Sequence, residues 1–274
     1  MAINYASKYS QLVDERFTKA SVTAPAINND YDFSGVKTVH VYSIPTVPMG
    51  DYTRSGDKRY GNPEELQDSV QELTMTKDRS FTFTIDRGNR EDQQMVKDAG
   101  KALRRQIDEV VIPEIDKYRL AKIAGGAAEG NVVTVALTKT NAYSAFLDGM
   151  AALTDGLAPA GGRVCYATAQ FYKLLLQNGD LIKSGDRAQE ITLSGQLGTV
   201  DGVPVIVVPT SWLPENVGFI ITNSIACCAP IKLTEYKVHE NPPGISGWLV
   251  EGRVYYDAFI LDNKKAAIYV HKTA

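Results

Sequence analysis

The side chains that could do chemistry in this chain of 274 residues are few and scattered. His40, His239 and His271 lie far apart, with no metal-ligand spacing around them. His40 and His271 fall within strand-like patterns, where a ring serves packing before it serves catalysis. Cys165, Cys227 and Cys228 show no C-x-x-C spacing, which argues against a disulfide framework and for a reducing compartment. Cys165 ends a strand-like run and reads as a small buried hydrophobe. Pro-Gly-Ile-Ser-Gly at 243–247 falls one residue short of a nucleophile elbow. A hydrolase can be drawn from Ser246, His239 and Asp257, but nothing in their spacing asks for it. Phosphate-binding glycine loops are absent. Asp86, Glu91 and Asp92 cluster where a helix begins, and the helix dipole accounts for them. The sequence therefore predicts no catalytic residue, no metal ligand and no cofactor. What remains is a basic trio, Arg54, Lys58 and Arg59, interleaved with Asp51, Asp57, Glu64 and Glu65. Its chemistry is electrostatic: a handle for a neighbour, or a solvated loop.

The elements that carry this trio are unusual. Residues 73–85 read Leu-Thr-Met-Thr-Lys-Asp-Arg-Ser-Phe-Thr-Phe-Thr-Ile. Leu73, Met75, Phe81, Phe83 and Ile85 alternate with polar residues, the period of a strand with one apolar face. As one strand it would span roughly 40 Å, against a usual length of about 5–6 residues. Lys37–Ile44 reads as its partner, and residues 45–69 between them are polar, charged and rich in Pro and Gly. An extended hairpin with a long loop buries little against itself, so it is expected to need a neighbouring subunit.

Bulk composition sets limits around that picture. Hydrophobic residues make up 44% and charged residues 22%, ordinary values for a globular protein. With 29 basic and 32 acidic residues the net charge is −3, which excludes tight nucleic-acid binding by charge alone. The first residues lack the apolar core of a signal peptide, and no apolar run reaches the ~20 residues of a membrane span. The expectation is a soluble protein, made and assembled in the cytoplasm, with no membrane partner.

Along the chain, residues 1–35 read as an extended arm, with Tyr5, Tyr9, Leu12, Val13 and Phe17 in a short amphipathic segment and a break at Pro25. Residues 89–124 predict one long helix, opened by an Asn89 cap and stopped by Gly125-Gly126. Its apolar stripe is Met95, Ala99, Leu103, Ile107, Val110 or Val111, Ile115 and Tyr118, a core face. Pro113 inside it predicts a kink, or a break and restart. Residues 131–230 alternate helices and strands: a helix from Thr140 or Asn141, a strand at Arg163–Ala167, and a helix capped by Thr168. Beyond a charged loop at 178–190 comes a hairpin over Leu197–Val208, turning at Asp201-Gly202. Strands follow at Val217–Thr222, Lys232–Val238, Trp248–Ile260 and Ala266–His271, the last three expected to pack on the long helix.

That order of parts resembles the major capsid proteins of tailed bacteriophages, which share the Hong Kong 97-type fold. The resemblance extends to wording: Tyr-Thr-Arg-Ser-Gly at 52–56, Phe-Thr-Phe-Thr-Ile-Asp-Arg-Gly-Asn at 81–89, Ala-Leu-Arg-Arg-Gln-Ile-Asp at 102–108 and Gly-Thr-Val-Asp-Gly-Val-Pro-Val at 198–205. It implies an α+β fold in five parts. These are an N-terminal arm at 1–35, an extended loop at 36–88, the spine helix of a peripheral domain at 89–130, an axial domain at 131–230 and peripheral strands at 231–274. Loop 178–190 becomes the candidate axial contact.

The resemblance implies a coat protein that self-assembles through pentamers and hexamers into an icosahedral shell around double-stranded DNA, without sequence-specific binding. Arg54, Lys58 and Arg59 become subunit-interface residues at the loop tip. A portal is an implied partner; because the arm begins almost at Met1, a separate scaffolding protein is implied as well, or none is needed. Some relatives link a loop lysine to an asparagine covalently; Lys58 with Asn241 or Asn263 could take those roles, but no promoting acid aligns. Two alternatives stay open: an encapsulin-like compartment with a protein cargo, and a soluble α/β enzyme with an unusual arm.

Overall fold

The run Val-Gly-Phe-Ile-Ile-Thr-Asn is apolar without alternation, the pattern of a strand covered on both faces. The computed structural model, which describes residues 21–28, 30–31, 33, 37–43, 46–63, 65–66, 68–87, 99–178 and 198–273, places it at the centre of the largest sheet. Of the sequence expectations, the segment Tyr5–Phe17, the Asn89 cap and all of loop 178–190 except Asn178 lie outside the described residues.

Thirteen strands and three helices make up these parts, with short 3-10 turns between them. They are β1 (Thr38–Ser43), β2 (Ser69–Thr74), β3 (Lys77–Asp86), a helix α1 over residues 99–125, β4 (Val132–Thr134), α2 (Ala142–Asp155), β5 (Arg163–Thr168), α3 (Ala169–Leu176), β6 (Thr199–Val200), β7 (Val203–Val208), β8 (Val217–Asn223), β9 (Cys227–Cys228), β10 (Ile231–Glu240), β11 (Gly247–Tyr256), β12 (Phe259–Ile260) and β13 (Ile268–Lys272).

The six-stranded sheet runs β4-β13-β8-β5-β7-β6. Its local chemistry follows the sequence closely. The Thr168 hydroxyl accepts from the Phe171 amide and caps α3. Asp201 and Gly202 both take positive φ, as a tight hairpin turn between β6 and β7 requires. Helices α2 and α3 bring Phe146 and Phe171 onto Phe219 of β8, with ring centroids 6.5 and 4.2 Å apart. Here the structure corrects one expectation. The last strand does not join the other two C-terminal strands; β13 enters this sheet between β4 and β8, where it still meets the second half of α1. Its residues Ile268, Tyr269, Val270 and His271 are all buried, so it needs cover on both faces, which an interior place in this sheet supplies.

A second sheet, β10-β11-β3, packs on the first half of α1. Leu103, Ile107, Val111, Ile112 and Ile115 meet Tyr236, Val250, Val254 and Tyr256. Of the two valines the sequence left open, Val111 faces the core and Val110 is exposed. The helix does not break at Pro113. A π-turn over Ile107–Val111 precedes it, in which the Ile112 amide bonds to the Ile107 carbonyl. Proline removes a hydrogen bond and crowds the preceding turn, and a widened turn is one way a helix absorbs both. Further on, Leu120 and Ile123 turn into the main core, so α1 ties the two sheets together.

The long predicted strand is in fact two. β2 pairs with β1 in a separate two-stranded sheet, and β3 pairs with β11 along its whole length. The N-terminal segment is also anchored. Asp116 of α1, fully buried, accepts from the Ser21 hydroxyl at 2.6 Å, the Val22 amide at 3.0 Å and the Thr23 hydroxyl at 2.6 Å.

Candidate assembly arm

The chain leaves one sheet and enters another at Met75 and Thr76, and three side chains or strands satisfy the backbone there. Met75 donates its amide to the Lys37 carbonyl, and its own carbonyl accepts from the Tyr255 hydroxyl at 3.0 Å. Thr76 donates both its amide and its hydroxyl to the Asp257 carboxylate, at 2.7 and 3.0 Å. Asp257 is buried and also accepts from the Tyr118 hydroxyl of α1 at 2.7 Å. Burial first, then that carboxylate, push the Tyr118 hydroxyl well above its ordinary value, so it stays a donor. One aspartate thus joins the arm, the long helix and the C-terminal strands. Leu73 and Met75, both buried with Leu261 and Phe33, add about 1.5–3 kcal/mol each at this base. Gln71 clamps the same edge, donating to the Ile260 carbonyl and accepting from the Asp262 amide.

Beyond this base the arm has little to lean on. β1 and β2 are paired from Thr38↔Thr74 to Ser43↔Ser69, and a two-stranded ribbon is marginal in water. Past Ser43 the described loop residues are exposed. The tip closes on itself: the Thr53 amide bonds to the Arg59 carbonyl, and the rings of Tyr52 and Tyr60 meet edge-on at 5.0 Å. All three basic residues predicted from sequence lie in this closed tip. Lys58 donates to Asn62 at 2.6 Å, and Arg59 donates through Nε to the Gly56 carbonyl at 3.1 Å. Arg54 has no hydrogen bond or ion pair among the described residues, and none there joins the trio to Asp51, Asp57 or Glu65.

Sequence reasoning missed the apolar side of the arm. Of the twelve large apolar side chains left exposed among the described residues, seven lie between Tyr42 and Val70: Tyr42, Val47, Met49, Tyr52, Tyr60, Leu66 and Val70. Met49 and Tyr60 are almost wholly open to solvent. The signal was available, since Val47, Met49, Tyr52 and Tyr60 interrupt an otherwise polar loop. Apolar side chains at this density on a ribbon with no core of its own mark an interaction surface.

The other candidates do not come together. His239 pairs with Glu251 at 3.2 Å on the outer sheet, and Ser246 precedes β11 while Asp257 follows it. That separates the serine from the aspartate by roughly 30 Å of strand. The three cysteines are buried and free, and burial holds the Cys227 thiol up at about 12 and the Cys228 thiol at about 11. His271 is buried against Phe219, and desolvation lowers its pKa. Lys58 is bonded to Asn62, while Asn241 accepts from Arg87 and Asn263 reaches Ser43.

No family model matches this sequence, and no curated protein matches it. The architecture does find relatives. The capsid structure of cyanophage P-SCSP1u matches with a TM-score of 0.69 at 13% identity, covering 88% of this chain and 84% of that one. The mature capsid of bacteriophage PhiM1 matches with a TM-score of 0.69 at 10% identity, over 93% of this chain and 87% of that one. The chain has the Hong Kong 97-type capsid fold. A virus-like particle from Pyrococcus furiosus shares this fold at a TM-score of 0.59 and 14% identity, over 98% of this chain and all of its own. In the Hong Kong 97-type fold seen here, the arm has the least internal support among the described residues.

Proposed function

We propose that this chain is the major capsid protein of a tailed bacteriophage. It assembles through pentamers and hexamers into an icosahedral shell around double-stranded DNA, and it works by interface burial rather than turnover. The observation that carries this reading is the exposed apolar arm on a capsid fold: its missing core is supplied by the next subunit. Each contact can be weak because every subunit makes several.

Within this reading residues 36–88 form the extended loop. Residues 89–130 form the spine helix of a peripheral domain, 131–230 the axial domain and 231–274 peripheral strands, except that β13 belongs with the axial sheet. Arg54, Lys58 and Arg59 contact acidic groups on a neighbour. A scaffolding protein and a portal complete the assembly, which takes place in the host cytoplasm before the subunit becomes part of the virion.

Sedimentation and electron microscopy of the purified chain test this directly: shells are expected, and a monomer that never assembles in the presence of its phage partners would refute it. Reversing charge at Arg54 and Arg59 together should cut shell yield while the monomer stays folded; normal shells would remove those residues from the interface.

The full-length match to the virus-like particle supports a second reading, a compartment holding a protein cargo. Particle contents decide between the two: nucleic acid for the capsid, a single enriched protein for the compartment. The higher TM-scores of the phage capsids favour the first.

A further inference from the structure

Four non-glycine residues among those described have positive φ: Leu157, Asp201, Asn216 and Asn241. Asp and Asn visit this region readily, because a short polar side chain can bond locally; leucine does not. Leu157 sits there because it closes α2. Its amide bonds to the Thr154 carbonyl and the Ala158 amide to the Leu153 carbonyl, the paired bonds of a helix stop that normally takes glycine at this position. Ala158 and Leu153 are buried beneath the turn, but the Leu157 side chain is 91% exposed. The leucine therefore carries a backbone cost and a solvation cost, and gains no burial against the other described residues. Strain held at an exposed apolar residue points to a use outside the chain.

A matching recess lies at the other end of the same strands. Leu157 is next to the starts of β5 and β13: the Arg163 guanidinium bonds to the Ala158 carbonyl, and Gly156 abuts Ala266. At the far ends of β5 and β13, near Thr168 and Thr273, a groove of about 860 Å³ opens between α3 and the start of β8. Its apolar floor is Leu137, Phe171, Leu174, Leu213, Pro214 and Val217. A projection at one end of a sheet and a recess at the other cannot meet within one molecule. Between copies they form a head-to-tail contact, which closes into a ring when the rotation per subunit allows.

We infer that Leu157 of one subunit inserts into the Leu137–Phe171–Leu174–Leu213 groove of the next, and that this contact closes the capsomer ring. The inference rests on the capsid reading above and adds a second interface, independent of the arm.

Leu157→Gly separates the interface from the fold. It relieves the left-handed strain, so the variant monomer should resist denaturant at least as well as the parent, while shell or capsomer yield falls by about tenfold or more, the size of a lost buried leucine repeated around a ring. Shells at the parent's yield would overturn the inference. The groove is tested by charge: Leu157→Lys and Leu174→Glu should each abolish rings, and the double variant should restore them. If the double variant is no better than the singles while each monomer folds, the groove is not the receptor. If the parent chain forms no shells even with its phage partners present, the capsid reading fails and this contact with it; if the parent assembles but Leu157→Gly assembles equally, this contact alone fails.

Discussion

The six-stranded sheet and the β1–β2 arm are built from similar residues and end in opposite conditions. In the sheet, every residue of β5 and β8 is buried, and Phe219 touches Phe171, Phe146, Tyr269 and His271. In the arm, Tyr42 and Val70 stand opposite each other across the ladder and both are exposed. The sheet holds its own stability. The arm borrows rigidity at its base, from Asp257, Gln71 and the Leu73–Met75 pocket, and offers the rest of its apolar surface to something else. A shell subunit needs both: a body that folds alone, and a limb that finishes packing only on assembly.

The largest effect on the isolated chain should come from the sheet. Phe219→Ala leaves a cavity under two helices and should cost about 3–5 kcal/mol in denaturant unfolding. A loss under 1 kcal/mol would mean that the sheet is not the source of stability. The joint between the regions comes next. Asp257→Ala leaves the Thr76 amide without its acceptor, at a cost of about 1–3 kcal/mol, and should expose the arm base to protease first. Uniform proteolysis across the chain would place the weak point elsewhere.

A smaller effect follows from pH. Folding lowers the His271 pKa because the buried ring resists charge, whereas the unfolded chain takes up the proton near the ordinary value of about 6.5. The unfolded state then binds more protons, so stability should fall as pH drops below that value. His271→Gln should flatten the pH dependence of melting in this window; an unchanged slope would assign it to other groups. The smallest effect on the monomer should come from the arm surface. Met49→Ser with Tyr60→Ser should shift monomer stability by less than about 0.5 kcal/mol, because neither side chain is buried. The same pair should sharply reduce shell yield.

The legible parts of the fold were those fixed by neighbours in sequence. The Thr168 cap and the Asp201-Gly202 turn both follow from a few adjacent residues. The break at Met75 and Thr76 was easy to miss because no glycine or proline marks a change of sheet; its one sign is that the apolar alternation lapses over residues 76–80 and resumes at Phe81. Its cause is Asp257, almost two hundred residues away. The placement of β13 between β4 and β8 was hidden likewise, since a short apolar run says that it is buried but not beside what. For the site, charge drew attention to Arg54, Lys58 and Arg59, whereas the apolar residues around them became visible as a surface only once the loop was seen to stay exposed among the described residues.

The most direct test removes the arm and keeps its base. Ser43 and Ser69 are already paired, so residues 44–68 can be replaced by Asn-Gly, a two-residue turn that suits such a ladder. Particle formation and melting are then measured on the shortened chain beside the parent. The account predicts an unchanged melting temperature and no shells. Shells of normal yield, or a chain that no longer folds, would contradict it.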